Sequence, residues 1–436
     1  MSEPSRPGVR FNQPFLHGLY LALNAVSDAY FLGDGPSCVF AKGEHIHGRH
    51  DLFSTLLSCA SDHRIQYTGV NIFSIAGNFE AQIGAALKRI AGWPDCGVIF
   101  TGAMPMCAIA GSDYERIMRE ALAGCDKPSF LIPRRSSISG DWLDGYGGAL
   151  AALASGMDLA RARPVPGTAA IVGYLMDRNE GDHQGNVREL ERMLRALGIE
   201  SVSLWLSGRP YEHLRQARRA GAVISLPHGR AAARILAERL GVKLIEAELP
   251  FGTGATRRFM EKLGREFGRE AEARDFIAKE CGAAQRQARE FISRAVAGRR
   301  FAFAGDPHYA WAFAEFIEES GGRIAASVVM GGEEHLPEVR LRELKKWSGP
   351  VFEPNRVELH RYFAETTRWE VDLLVCNSFG LTYIKPKVPW LEFGFPSEHA
   401  HVLNDEAFLG FKGAHSFLSR MGGEMMKDQR LKGARR

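Results

Sequence analysis

Short apolar runs closed by glycine or proline alternate with amphipathic helical stretches along nearly the whole chain. No other feature constrains the fold as much. "DAYFLGDGP", "RIQYTGVNIFSIAG", "CGVIFTGAM" and "PSFLIP" are β-rich runs of this kind, with the helical "NFEAQIGAALKRIAG" and "SDYERIMREALAG" between them. The Pro-rich "ARPVPG" at 162–167 reads as a linker. Beyond it the pattern repeats in "TAAIVGYLM", "NVRELERMLRALG", "IESVSLWLSG", "GAVISLP", "GRAAARILAERLG" and "VKLIEAELPFG". A charged helical stretch over 254–298 leads to a third block, which contains "RRFAFAGDPHYAWAFAEFIEESG", "RIAASVVMGG", "WSGPVFEP", "VDLLVCNSFG" and "VPWLEFGFP". Strand, glycine-bearing loop and helix in repetition predict parallel sheets covered on both faces.

The chain has 436 residues, too many for one core. The expectation is therefore an α/β protein of three Rossmann-like domains, residues 1–165, 166–298 and 299–436, with mostly parallel sheets. Ligands in such folds sit beyond the carboxyl ends of strands. Chemistry is expected in the loops after "YFLGD", "VIFTG", "AVISLP", "FAFAGD" and "LLVCNS".

An apolar fraction of 45% and a charged fraction of 24% belong to a soluble globular protein. The net charge of +4 gives no argument for nucleic acid. The basic tail "KDQRLKGARR" reads as a frayed, solvated end. No apolar run reaches the roughly 20 residues of a spanning helix, and "MSEPSRPGVRFNQPF" has no hydrophobic stretch to act as a signal. A cytoplasmic protein without membrane or nucleic-acid partners is expected. Its seven cysteines (38, 59, 96, 107, 125, 281, 376) then read as buried thiols or ligands.

There is no G-x-x-x-x-G-K-[ST] loop, no G-x-S-x-G elbow and no C-x-x-C pair, and "AGDPHYA" lacks the G-x-G-x-x-G spacing. Chemistry must come from scattered residues or from a bound cofactor. The stretch "GDGPSCVFAKGEHIHGRHD" gathers Cys38, His45, His47 and His50. His45 and His47 share a face if the segment is extended. A closed zinc site needs four ligands, so three imidazoles would need Cys38, Glu44 or Asp51 as well. A polar rim around a thiol accounts for the stretch better than a zinc box.

The ordered motifs resemble the nitrogenase component 1 family. "HGLYLALNAVSDAYFLGDGPSC" is similar to its opening helix, strand and Gly-Pro turn with a cluster-binding cysteine. "IAGNFEAQIGAALKRI" is similar to the glycine-led helix that follows, and "VIFTGAMPMCAIAGSD" to the strand and loop of a further cluster cysteine. "SISGDWLDGYGGALAALA", "ELPFGTGATRRFMEKLG" and "VDLLVCNSFG…VPWLEFGFP" with "FLGFKGAHSFLSRM" resemble later family segments. The matches run in order over residues 15–420.

The resemblance implies an α-type subunit of a nitrogenase-like oxidoreductase, paired with a homologous β-type subunit as a heterotetramer (α2β2). Electrons would come from an ATP-dependent iron–sulfur reductase through an interface iron–sulfur cluster of the 4Fe-4S kind, to reduce a substrate in a central cavity. The cavity would hold a second metallocluster or an organic substrate. Relatives reduce dinitrogen, protochlorophyllide or methylthio-alkanes, so the substrate stays open. A metallocluster assembly scaffold, or a metal-free interaction or sensor protein that keeps the fold, are the rival readings.

Carried over residue by residue, the resemblance makes Cys38 a cluster ligand. Cys107 is a second candidate, displaced by two or three places because Met104 and Pro105 occupy the usual Cys-Pro-like position. The family's first ligand would fall between Asn12 and Phe15, where there is no cysteine. Either the cluster has fewer ligands from this chain, or Asp34 or Cys59 substitutes, or the cluster is lost. His401 stands at the spacing of the histidine that ligates the active-site metallocluster in α-type subunits. The companion cysteine would fall near Ser225, and His228 is the nearest donor. His399 is placed to supply protons.

Overall fold

The computed structural model describes residues 9–58, 62–71, 79–108, 111–132, 140–364 and 370–433. Every strand pairing in its three sheets is parallel. The first sheet is built from β1 (Ala29–Asp34), β2 (Ile65–Tyr67), β3 (Val98–Ala103) and β4 (Ser129–Leu131), in the order β2-β1-β3-β4. The second comprises β5 (Val165–Val172), β6 (Glu200–Leu204), β7 (Ala220–Ser225) and β8 (Lys243–Glu246), in the order β6-β5-β7-β8. The third comprises β9 (Arg300–Gly305), β10 (Arg323–Val329), β11 (Val351–Phe352), β12 (Leu373–Cys376) and β13 (Trp390–Glu392), in the order β11-β10-β9-β12-β13. Strands β1 and β3 are buried along their whole length, as expected for sheets covered on both faces.

The chain separates into two compact units. One comprises Pro14–His183 and Gly198–Ala247 and carries the first two sheets. The other comprises Gln184–Leu197, Glu248–Arg436 and the N-terminal residues through Gln13, and carries the third. Two local readings of the sequence differ from the structure. The "ARPVPG" segment is not wholly linker, because β5 starts at Val165, and Pro166 is tolerated on its exposed leading end. The 254–298 stretch is two helices, Thr253–Phe267 and Glu270–Ala295, separated where Gly268 takes a left-handed φ of 65°.

In the first unit, helix α1 (Phe15–Asn24) lies tightly against the helix Trp142–Gly156. Two glycines permit this approach: a Cβ on Gly18 would sit 1.6 Å from the Trp142 carbonyl oxygen, and one on Gly145 would sit 2.0 Å from that of Phe15. The second helix starts in a capping box. The Asp141 carboxylate accepts from the Leu143 and Asp144 amides, and Asp144 reaches back to the Asp141 amide. In the second unit the core is aromatic, with Phe251, Tyr309, Phe393 and Phe417 meeting edge-on or tilted at 5.0–6.4 Å.

Candidate functional site

Alternation along β1 divides the candidate ligands. Phe31 and Gly33 face one side of the sheet, with Tyr20 of α1 edge-on to Phe31 at 5.9 Å. Asp34 faces the other side. Its Oδ1 accepts from Thr68 Oγ1 at 2.6 Å and its Oδ2 from the Tyr114 hydroxyl. Cys107, in the short helix Pro105–Ala108, joins Asp34 on that side. It is packed in the cluster of Leu32, Ile83, Leu87, Ile99 and Tyr114. Burial, helped by the Asp34 charge, pushes its thiol up to about 12.

Cys38 lies elsewhere. It is exposed at the first position of the helical turn Cys38–Ala41, after Gly35 and Pro36. The next residue, Val39, has its carbonyl bonded by the Tyr20 hydroxyl. Asp34 and Cys107 are thus brought together on one side of the sheet, and Cys38, exposed on its turn, is not part of the buried cluster that holds Cys107. Cys59 lies outside the described residues.

The three histidines of the Cys38 stretch enter three different environments. Residues 42–45 form a 3-10 turn, so His45 and His47 do not share an extended face. The His45 ring stacks on His17 at 4.5 Å. Burial, then the charges of His45 and Lys42, lowers the His17 pKa to about 3. His47 is half-buried, with its Nδ1 enclosed. His50 is fully buried, and its Nε2 lies 3.0 Å from the Asp177 carbonyl oxygen. Among the described residues, no set of three His, Cys, Asp or Glu donors that includes any of these histidines gathers within 4.8 Å.

His50 leads to a group that sequence reasoning missed. Beyond β5, "YLMDRNEGDH" folds back as a buried ionic network. Asp177 Oδ1 lies 2.8 Å from His183 Nε2 and 3.6 Å from His50 Nε2, and His183 Nδ1 lies 2.7 Å from the Tyr174 hydroxyl. Arg178 pairs with Asp182 at 2.5 Å and with Glu180 at 3.5 Å. Asp51 Oδ2 accepts from Asn24 Nδ2 at 2.6 Å and from Asn179 N and Nδ2 at 2.9 and 3.0 Å. The available signal was five charged or titratable residues directly after an apolar strand, where a solvated loop is the usual expectation.

His399 and His401 share a loop in the second unit, the first exposed and the second half-buried. One buried carboxylate fastens that loop. Glu392, at the end of β13, accepts from the Ser378 hydroxyl and from the amides of Glu398, His399 and Ala400 at 3.2, 3.0 and 2.5 Å. Asn377 Nδ2 adds a bond to the Phe395 carbonyl at 2.6 Å. His228 belongs to the first unit. It is buried in the 3-10 turn Pro227–Gly229 after β7, and its amide donates to the Gly173 carbonyl at 3.1 Å.

The described residues do not fit an iron–sulfur cluster held by this chain alone. Both Asp34 oxygens are already bonded, the Cys107 thiol is held protonated in an apolar core, and Pro14 and Phe15 stand where a first thiolate is expected. Among the described residues, the one exposed thiol is Cys38.

The profile of the family described as "Nitrogenase component 1 type Oxidoreductase" matches residues 16–426. The nitrogenase molybdenum-iron protein beta chain of Sinorhizobium fredii (strain NBRC 101917 / NGR234) is 24% identical over 351 residues, which is 72% of this chain. The match spans 65% of that relative's length. The solved structure "Nitrogenase Cp1 at pH 6.5" superposes with a TM-score of 0.78 at 17% identity, over 98% of this chain and 95% of that one. "Nitrogenase Cp1 at pH 5" gives 0.72 at 14%, over 97% and 90%. These two show the shared fold. No helix among the described residues is long and apolar enough to cross a membrane. The curated relative is a beta chain, whereas the motifs in the sequence suggest an α-type subunit; the family is common to both. The chain belongs to the nitrogenase component 1 type oxidoreductases, a family whose members typically bind metalloclusters.

Proposed function

We propose that this chain is one subunit of a nitrogenase-like reductase, paired with a homologous subunit and supplied with electrons by a separate ATP-dependent iron–sulfur reductase. The position of Cys38 supports the reading most directly. An exposed thiol on a turn, apart from the other candidate ligands, suits one thiolate of a centre whose remaining ligands come from the paired subunit. The α-type role rests on His401. With His399 it sits on a loop that Glu392 holds in one arrangement, as a proton donor to a bound substrate requires. The α2β2 assembly and the substrate pocket are part of the same proposal.

Co-expression with the homologous subunit and anoxic purification test it. Iron and acid-labile sulfide should accompany the pair, should fall on Cys38→Ala and should persist on Cys107→Ala. Equal iron in the wild type and Cys38→Ala, or loss on Cys107→Ala, contradicts the reading.

A metal-free interaction or sensor protein is the second reading. The burial of Cys107 and the residues Pro14 and Phe15 at the expected first-ligand position favour it. It predicts an intact pair with no iron.

A further inference from the structure

The second unit holds a cavity of about 760 Å³, the volume of a nucleotide-sized ligand rather than of a single small ion. Three helices wall it: Thr253–Phe267, the last turns of Glu270–Ala295 and the end of Pro307–Glu319. Among the described residues, none of the candidate cluster ligands and none of the candidate histidines lines it.

Its described walls carry three guanidinium groups, Arg257, Arg258 and Arg289, against two carboxylates, Glu261 and Glu319. Arg258 already engages Glu315 at 2.6 Å and Glu319 at 2.5 Å, which ties the first of these helices to the third. Burial pushes the Glu315 carboxyl up to about 7, so near neutral pH it compensates Arg258 only in part. Glu261 stands one turn along from Arg257, yet it forms no ion pair among the described residues. Arg257 and Arg289 therefore line one cavity from two different helices, and like charges so placed are relieved by an anion between them. The guanidinium fork matches phosphate oxygens two by two. Ile292 and Phe316 add an apolar strip, and the Thr253 and Ser293 hydroxyls add groups that donate or accept.

We propose that this cavity binds an organic phosphate of nucleotide size, its phosphates between Arg257 and Arg289 and its apolar portion against Ile292 and Phe316. The site goes beyond the paired-subunit reading, because no cysteine lines it among the described residues. Loss of iron on Cys38→Ala would leave it untouched.

Calorimetric titration of the full-length chain with ADP, adenosine and inorganic pyrophosphate tests the proposal. ADP should bind saturably, and adenosine and pyrophosphate should each bind more weakly. Arg257→Glu should weaken ADP by about tenfold or more, the worth of one hydrogen bond to a charged group. Arg161→Glu, an equal charge change at an exposed residue of the first unit, should leave ADP affinity unmoved. Ser293→Trp, which fills the cavity from an exposed position, should remove ADP binding. If that variant does not fold, the two arginine reversals decide. Absence of saturable ADP binding, adenosine or pyrophosphate binding as tightly as ADP, or equal ADP affinity in Arg257→Glu and Arg161→Glu overturns the proposal.

Discussion

Asp177 Oδ1 stands 2.8 Å from His183 Nε2, with both side chains buried in the first unit. Burial works against the charge on each partner, but their mutual contact prevails. His183 and His50 hold the Asp177 carboxyl well below the usual carboxylate range, while Asp177 and Asp182 raise the His183 pKa.

The sign of the pH dependence follows. The depressed Asp177 pKa stabilises the fold above the ordinary carboxylate value and loses that contribution as pH falls through the folded value. The raised His183 pKa stabilises it below the ordinary imidazole value and loses that contribution as pH rises through the folded value. The pair is therefore at full strength between about pH 4 and about pH 6.5. Asp177→Asn should cost about 3–5 kcal/mol near the top of that window, because it leaves a buried cation without its partner. Denaturant titrations across pH should show the gap from wild type narrowing on the alkaline side; a gap constant with pH contradicts the assignment.

Gly18 and Gly145 predict a second outcome. A methyl group at either position meets a backbone carbonyl oxygen at 2.0 Å or less, and neither helix can yield without shifting the other. Gly18→Ala should destabilise by about 3 kcal/mol, the upper range for overpacking. Gly147→Ala, where nothing lies within 4 Å, should stabilise slightly or be neutral. Thermal unfolding of the two variants side by side checks the contrast.

The parallel α/β architecture was legible because strand and helix write different periods into a sequence, and glycines mark the loops between them. The placement of Cys107 was not. It depends on which face of the sheet the loop after β3 joins, and a shift of two or three places from the family position changes that. Nothing local in the sequence separates His50 from the other histidines of a polar rim, because its partner, Asp177, lies 127 residues away. Only the fold brings β5 beside that loop. Glu392 reads as an ordinary strand-end acid in sequence. Its role needs Ser378 and residues 398–400 to converge on one carboxylate.

That convergence is testable. A hydrogen bond to a charged acceptor contributes about 1.5–3 kcal/mol, and Glu392 accepts several. Glu392→Gln retains one oxygen acceptor and removes the charge. Amide exchange at His399 and Ala400 should accelerate by roughly tenfold or more, with the Asn377 helix cap at Gly380 unaffected. Unchanged exchange at those two amides means that the loop is held by something else.

The most direct test of the central claim is differential alkylation of Cys38, read by mass spectrometry, in the lone chain and in the anoxically purified pair. The account predicts rapid labelling of Cys38 in the lone chain and protection in the pair, with Cys107 unlabelled in both until the chain is unfolded. Equal labelling of Cys38 in the two states would place it away from the paired subunit and contradict the account.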